Sequence, residues 1–293
     1  MSIKHEYGKR MVAFHSVLNE YVKFTRTTEI KKIVIENNEI IMTTDRGISF
    51  VCNPADPNVP YANLNFGAYE FNETNMILDI IGTDDIVFDI GANIGWYSLN
   101  IAKTYPRSIV YSFEPIAPTR QIMMRNIQLS DCHNIEVFAN GFWNEPTVLE
   151  FHFNKDASGA TSVVNLLDRS DVEKIPCKVT TLDSFVGENS IAKLDFIKCD
   201  VEGAEFMVMQ GAKTTLNTFK PKLFLEMLRK WSRKFNYHPN DIIEFLTELG
   251  YGCFEIIDRK LKRFSVMTED TISTNFVFLH NEKHRAVIDE LSD

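Results

Sequence analysis

The spacing of hydrophobic positions changes along the chain, and the changes divide it. Between residues 7 and 24, Tyr7, Met11, Phe14, Leu18 and Tyr21 recur at intervals of three and four, which draws one apolar stripe along a helix. Such a stripe is expected to pack on the main domain. Three short strand-like runs follow at 32–36, 39–43 and 48–52, with Asn37-Asn38 and Arg46-Gly47 between them as tight-turn signals. They predict a small antiparallel meander. Pro54, Pro57 and Pro60 then oppose regular structure over about ten residues. A boundary is expected there, between an extension at 1–65 and a main domain at 66–293.

Within the main domain, apolar runs at 85–90, 109–114, 135–140, 194–200 and 222–227 alternate with helical patterns at 95–103, 118–129, 204–215 and 240–249. Alternating strand and helix predicts an α/β, doubly wound, mostly parallel sheet with helices on both faces. The unbroken Ile86-Val87-Phe88 suits a strand covered on both sides. Residues 147–183 break the rhythm. The alternation of 148–153 and the run 177–181 read as β, an antiparallel insertion able to roof a ligand site. The last strands are expected at 254–257 and 275–280, with Asp258-Arg259-Lys260 as a turn.

Composition narrows the classes. Apolar residues are 44% and charged residues 24% of 293, enough for a real core and against disorder. The 22 phenylalanines are read as core and pocket lining. A net charge of -9 repels phosphate backbones and sets nucleic-acid partners aside. The cations Arg229, Lys230, Arg233 and Lys234 read as a solvated helix face. Cys52, Cys132, Cys177, Cys199 and Cys253 are scattered, with no CxxC pair, so neither a disulfide framework nor a structural zinc is expected. The first residues, Met1 to Glu6, lack the apolar run of a signal peptide and no apolar run of about 18 residues stands in the sequence, so neither a leader nor a bilayer span is expected. The cytoplasm is the expected location.

Ligands of open α/β sheets sit beyond the carboxyl ends of the strands, so the residues at those ends are the candidates. The first strand ends in Asp89-Ile90-Gly91-Ala92-Asn93-Ile94-Gly95-Trp96. Two glycines allow a sharp turn and close approach of a ligand, and the next helix presents its amides to a negative group. The acid in front would repel a pyrophosphate and attract an ammonium or sulfonium. A zwitterion bearing a sulfonium, S-adenosylmethionine, fits both halves. The second strand ends in Glu114-Pro115, where an acid can accept from both ribose hydroxyls. The third ends at Asn140, which can meet an adenine edge or take a left-handed turn. The fourth ends in Lys198-Cys199-Asp200-Val201-Glu202-Gly203-Ala204-Glu205. Like charges this close are costly unless they bind something or shift their pKa. Asp200 and Glu202 are therefore candidates to position a hydroxyl, take its proton or hold a divalent cation, and Glu205 reads as a helix N-terminal acid. Glu226 at the fifth strand end and His238 beyond it complete the set of possible bases.

These motifs, taken in order with Thr180-Thr-Leu-Asp183, Phe219-Lys-Pro221 and Leu249-Gly-Tyr251, resemble the FkbM family of methyltransferases over about residues 66–257. The run Lys198 to Glu205 is the most specific part. The resemblance implies a class I methyltransferase, Rossmann-like fold and methyl transfer from S-adenosylmethionine to oxygen, on sugars, glycans or polyketide-type natural products. It implies that Asp89, Gly91, Asn93 and Gly95 hold the methionine part and Glu114 the ribose, that the segment ending in Glu70 lies near the cofactor, and that Asp200 sits where related metal-dependent O-methyltransferases carry a metal ligand. Ala92, Trp96, Pro115, Asn140 and Asp200, at the same strand ends, are further candidates for cofactor contacts. Metal use stays open. Two other readings are weighed beside it. A nicotinamide dehydrogenase would need the absent G-x-G-x-x-G, and a non-catalytic nucleoside-binding module would bind the nucleoside with every acceptor inert.

Overall fold

The computed structural model describes residues 3–53, 56 and 58–292. Pro54 and Pro57 lie outside the described residues. The chain falls into two compact units, divided between Tyr69 and Glu70.

The first unit comprises α1 (Ile3–Thr27), β1 (Ile30–Glu36), β2 (Glu39–Thr44), β3 (Ser49–Val51) and α2 (Tyr61–Phe66). Asn37 and Asn38 both take positive φ, 49° and 64°. A two-residue turn of that kind twists in the sense that β1–β2 pairing requires, and β3 adds antiparallel to β2. Ile30, Met42, Cys52 and Leu64 form the small core, with Tyr21 of α1 packed against it. Further along the stripe, Tyr7, Phe14 and Leu18 are exposed, where packing was expected.

The second unit begins with α3 (Phe71–Ile80), β4 (Ile86–Ile90), α4 (Trp96–Thr104), β5 (Ile109–Phe113), α5 (Ala117–Ser130) and β6 (Ile135–Phe138). The insertion carries β7 (Gly141–Phe142), β8 (Thr147–Phe153) and β9 (Glu173–Thr180). Then come α6 (Leu182–Glu188), β10 (Phe196–Cys199), α7 (Glu205–Gln210), α8 (Lys213–Phe219), β11 (Lys222–Glu226), α9 (Arg229–Ser232) and α10 (Pro239–Glu248). The chain finishes with β12 (Tyr251–Ile257), β13 (Lys260–Phe264), β14 (Asn275–His280) and α11 (Arg285–Leu291).

One sheet runs β13-β12-β14-β11-β10-β4-β5-β6. The strands β11, β10, β4, β5 and β6 are parallel, and β14 is inserted antiparallel between β11 and β12. This is the doubly wound order of class I methyltransferases, with the first strand of the unit, β4, at the centre. The expected insertion is present as a separate sheet, β7-β9-β8, in which β8 and β9 are antiparallel.

Phenylalanines fill the layer under β4 and β5. The Phe113 ring lies 5.1 Å from Phe88, 4.8 Å from Phe142 and 4.9 Å from Phe185, all edge-on, the preferred geometry of paired aromatics. All five cysteines are buried and free. No helix of the described residues is long and apolar enough to cross a membrane.

Three features depart from the sequence pattern. The helix expected at 204–215 is two helices, because Gly211 passes so close to Trp143 that a Cβ there would lie 2.2 Å from its carbonyl oxygen. The turn at Asp258 and Arg259 leads into an unforeseen edge strand, β13, which carries Lys260, Lys262 and Arg263. Helices α3, α6 and α11 occupy stretches with no clear period.

Phe113→Ala removes a fully buried ring that packs against four others, Phe138 being stacked on it at 5.4 Å, so it should cost about 3–5 kcal/mol in urea unfolding. A cost under about 1 kcal/mol would show that the aromatic layer is not the core of this sheet.

Candidate active site

The sheet register builds the site. Lys198 of β10 lies directly opposite Asp89 of β4. Its ammonium is 3.4 Å from Asp89 Oδ1 and 3.4 Å from Asp200 Oδ2, and its side chain is 3% exposed. It also donates to the carbonyls of Gly91 at 2.9 Å and Ile90 at 3.4 Å, and lies 5.5 Å from the Tyr97 ring centre. One buried cation thus ties the end of β4 to the end of β10.

The turn after β4 is shaped by those contacts. Gly91 has φ 73°, and a Cβ on it would sit 1.8 Å from the Asp200 carbonyl oxygen, so no side chain fits. The N–H groups of Gly91 and Ala92 both donate to the Phe113 carbonyl. Asp89 is fully buried beneath the turn, and the Ser98 N–H and hydroxyl donate to its Oδ2 at 3.1 and 2.5 Å. Its charge was expected to face the ligand. It is met instead from inside, by Lys198. Asp89 Oδ1 makes no hydrogen bond.

Glu114 ends β5, almost wholly buried. Asn93 N–H donates to its Oε2 at 3.0 Å and Ile116 N–H to its Oε1 at 2.9 Å, and burial lifts its carboxyl to about 7. Each oxygen keeps a lone pair for a further donor. Pro115 follows it, and its carbonyl accepts from Arg120. Asn140, past the end of β6, has ordinary negative φ, so the left-handed alternative is not realised. Trp96 opens α4 after Gly95, and its indole N–H donates to Thr74 of α3 at 2.9 Å, which turns the ring toward that helix. Glu70 caps α3 in a left-handed conformation, receives the Tyr97 hydroxyl, and is pushed up by burial.

The acidic mouth lies at the ends of β10 and β11. Asp200, Glu202 and Glu226 each present an oxygen within 4.8 Å of the others'. That spacing suits a divalent cation or a shared proton. Burial, and then the neighbouring carboxylates, hold both Glu202 and Glu226 well above the usual carboxylate range. Glu202 sits at φ 57°, unusual for a residue with a side chain, and accepts from the Trp231 side chain. Glu205 is fully buried at the start of α7. Its Oε1 accepts from the N–H groups of Val201 and Gly203, which precede the helix, so it braces the turn that carries Glu202.

His238 belongs elsewhere. Its Nδ1 accepts from Asn240 N–H, and Asp241 accepts from its backbone N–H, a capping box that starts α10. A residue before Pro239 at a helix start is suited to that use, and the structure does not bring His238 into the carboxylate cluster.

The insertion covers the mouth. Ser158 donates to Asn93 Oδ1 at 3.3 Å, Ser162 to the Glu202 carbonyl at 2.9 Å, and Lys234 to the carbonyls of Asn165 and Leu166. The sequence marks neither Tyr97 nor the two serines, offers Trp231 only as an aromatic that could stack on a sugar or lie in the core, and shows Lys198 without a task. The available signal was a lysine inside the otherwise apolar strand Phe196-Ile197-Lys198-Cys199.

The sheet order is that of the class I methyltransferase fold. The family described as Methyltransferase FkbM domain matches residues 89–253, more than half of the chain, and the chain belongs to that family. Among its relatives is the AMB antimetabolite synthetase AmbE of Pseudomonas aeruginosa, 30% identical over 58% of this chain and 10% of its own length. Another is the 31-O-demethyl-FK506 methyltransferase FkbM of Streptomyces tacrolimicus, 26% identical over 44% of this chain and 60% of its own. The chain therefore spans less than two thirds of these relatives. The solved methyltransferase FkbM of Methylobacillus flagellatus superposes with a TM-score of 0.46 at 16% identity, over 78% of this chain and 55% of that one.

Burial raises Glu205 to about 7, so the folded chain keeps a proton that the unfolded chain releases above about 4.5. The stability from that proton is complete below pH 4.5 and is lost as pH rises through 7, at most about 3 kcal/mol. Glu205→Gln keeps an oxygen for Val201 and Gly203 and cannot ionise. Its urea midpoint should fall less between pH 5 and 8 than the parent's, and equal slopes would contradict the raised pKa.

Proposed function

We propose that this chain transfers a methyl group from S-adenosylmethionine to a hydroxyl oxygen of a sugar, glycan or natural-product acceptor. The observation that carries the reading is the meeting of two features: the side-chain-free turn at Gly91, and the three carboxylates Asp200, Glu202 and Glu226 just across from it. The first suits a tightly held nucleoside amino acid, the second a hydroxyl that must lose its proton.

The residues present fit that donor. In this reading the methionine part lies along the turn 91–95, against Gly91, Ala92, Asn93 and Gly95 on the side away from the Asp200 carbonyl, with Asp89 shaping the turn from below. The spare lone pairs of Glu114 suit the two ribose hydroxyls, beside Pro115, and Asn140 stands at the adenine end. Glu70 and Asp200 bring negative charge to the side where the sulfonium would lie. Trp96 supports the turn through Thr74. When bound, S-adenosylmethionine supplies an electrophilic methyl on a good leaving group.

The chain then has two tasks. The insertion and the carboxylates hold the acceptor oxygen in line with the methyl carbon, and such positioning is worth effective molarities of roughly 10⁵–10⁸ M. The oxygen bonds to the methyl carbon as the carbon–sulfur bond breaks, and the hydroxyl proton passes to Glu226. Glu202 is anchored by Trp231 and Asp200 by Lys198. Glu226 makes no side-chain hydrogen bond among the described residues and is free to turn to the acceptor. Its raised pKa makes it a stronger base than an ordinary carboxylate.

Methyl transfer to a panel of hydroxylated acceptors tests this. Glu226→Gln should lower kcat by about 10²- to 10⁴-fold while S-adenosylhomocysteine still binds. The acidic limb of the parent's pH–rate profile should lie above the ordinary carboxylate range. A loss under tenfold would refute the base assignment. Loss of activity in EDTA, restored by Mg²⁺, would assign the three carboxylates to a cation instead.

A further inference from the structure

The four cations read from the sequence as a solvated face do not all face open solvent. Arg229, Lys230, Arg233 and Lys234, on α9 and the turn after it, line one side of a cavity of about 600 Å³, with Met227 and Met267 on its wall. That volume is within the range of small-molecule sites. Glu269 is the one carboxylate on the lining, against four cations, in a chain whose net charge is -9.

Two of the four charges are not neutralised by acids. The Arg229 guanidinium donates to the backbone carbonyls of Thr268, Glu269 and Thr271, which fix its orientation without cancelling its charge. Lys230 lies 4.3 Å over the Trp231 ring. Among the described residues neither forms an ion pair. Arg233 pairs with Glu269 at 2.8 Å and Lys234 with the exposed Asp168 at 2.8 Å, both at the rim, where such pairs exchange readily with water and ions. A recess lined by one sign of charge concentrates the opposite ion.

The recess adjoins the acidic mouth. Its wall begins at Met227, the residue after Glu226, and Trp231, which carries Lys230 on its ring, reaches Glu202. One molecule can therefore place an anionic group among the cations and a hydroxyl at the carboxylates. We infer that the cavity is an anion subsite for the methyl acceptor, and that the acceptor carries a carboxylate, sulfate or phosphate group near the hydroxyl that is methylated. The inference rests on the reading above, that this mouth receives an acceptor.

The test starts from the anion alone, so it does not need the acceptor's skeleton. Tryptophan fluorescence, to which Trp231 contributes with Trp96 and Trp143, is followed while inorganic phosphate, sulfate or glucuronate is titrated into the full chain. Saturable binding with a Kd of the order of millimolar, weakened by added chloride and lost in the double variant Lys230→Gln, Arg233→Gln, is the expected result. Circular dichroism melting of the variant shows whether it is folded. Glucuronic acid, glucose 6-phosphate and glucose are then compared. Tighter binding of either charged sugar than of glucose supports the subsite, and the stronger of the two names the anion. No saturable binding of any anion to the parent chain, or binding unchanged in the folded variant, overturns it. S-Adenosylhomocysteine binding is measured in parallel. Its absence would refute the methyl-donor reading while leaving the anion result to stand or fall separately.

Discussion

The site depends on one buried ammonium. Parallel pairing of β10 with β4 sets Lys198 against Asp89, and the same ammonium reaches Asp200 and the Gly91 carbonyl. Around it stand Glu70, Glu114, Glu202, Glu205 and Glu226, five further acids in largely buried positions. Removing one partner of a buried ion pair typically costs about 3–5 kcal/mol, because the charge left behind stays out of water. Here the loss would leave two aspartates uncompensated at the point where the cofactor turn and the acidic mouth join. The lysine thereby sets the spacing between donor and acceptor halves of the site.

Charge is sorted across that mouth. Glu202 and Glu226 are held toward their neutral forms by burial and then by the nearby Asp200, whereas Asp89 and Asp200 sit against the ammonium. Glu205 and Trp231 act behind Glu202, the first bracing its turn, the second giving it a hydrogen bond. Beyond Trp231 the sign reverses, with Arg229 and Lys230 around a recess of their own. A chain that is acidic as a whole thus offers a cationic recess beside the group of acids best placed to do chemistry.

Much of the fold was legible. Asn37-Asn38 marked a hairpin because two positive φ angles are tolerated there, and the unbroken apolar runs marked strands covered on both faces. The strand-end rule located Asp89, Gly91, Glu114, Asp200, Glu202 and Glu226 at one edge of the sheet. What a linear reading misses is what side chains do once neighbours arrive. Asp89 looks like a ligand contact until Lys198, 109 positions later, closes on it from the next strand. His238 looks like a base until Pro239 and Asp241 make it a helix cap. The Arg229–Lys234 run looks like a wet helix face until the segment 267–274 folds opposite it and closes a cavity. The left-handed Glu70 and Glu202 carry no such mark, unlike Asn93, since glutamate does not favour that region and their conformation is imposed by the turns around them.

Calorimetric titration of S-adenosylmethionine into the parent chain and into Lys198→Met, with folding of the variant checked by circular dichroism, tests the central claim most directly. If the ammonium organises the turn, the folded variant binds at least tenfold more weakly. Equal affinity in a folded Lys198→Met chain would contradict it.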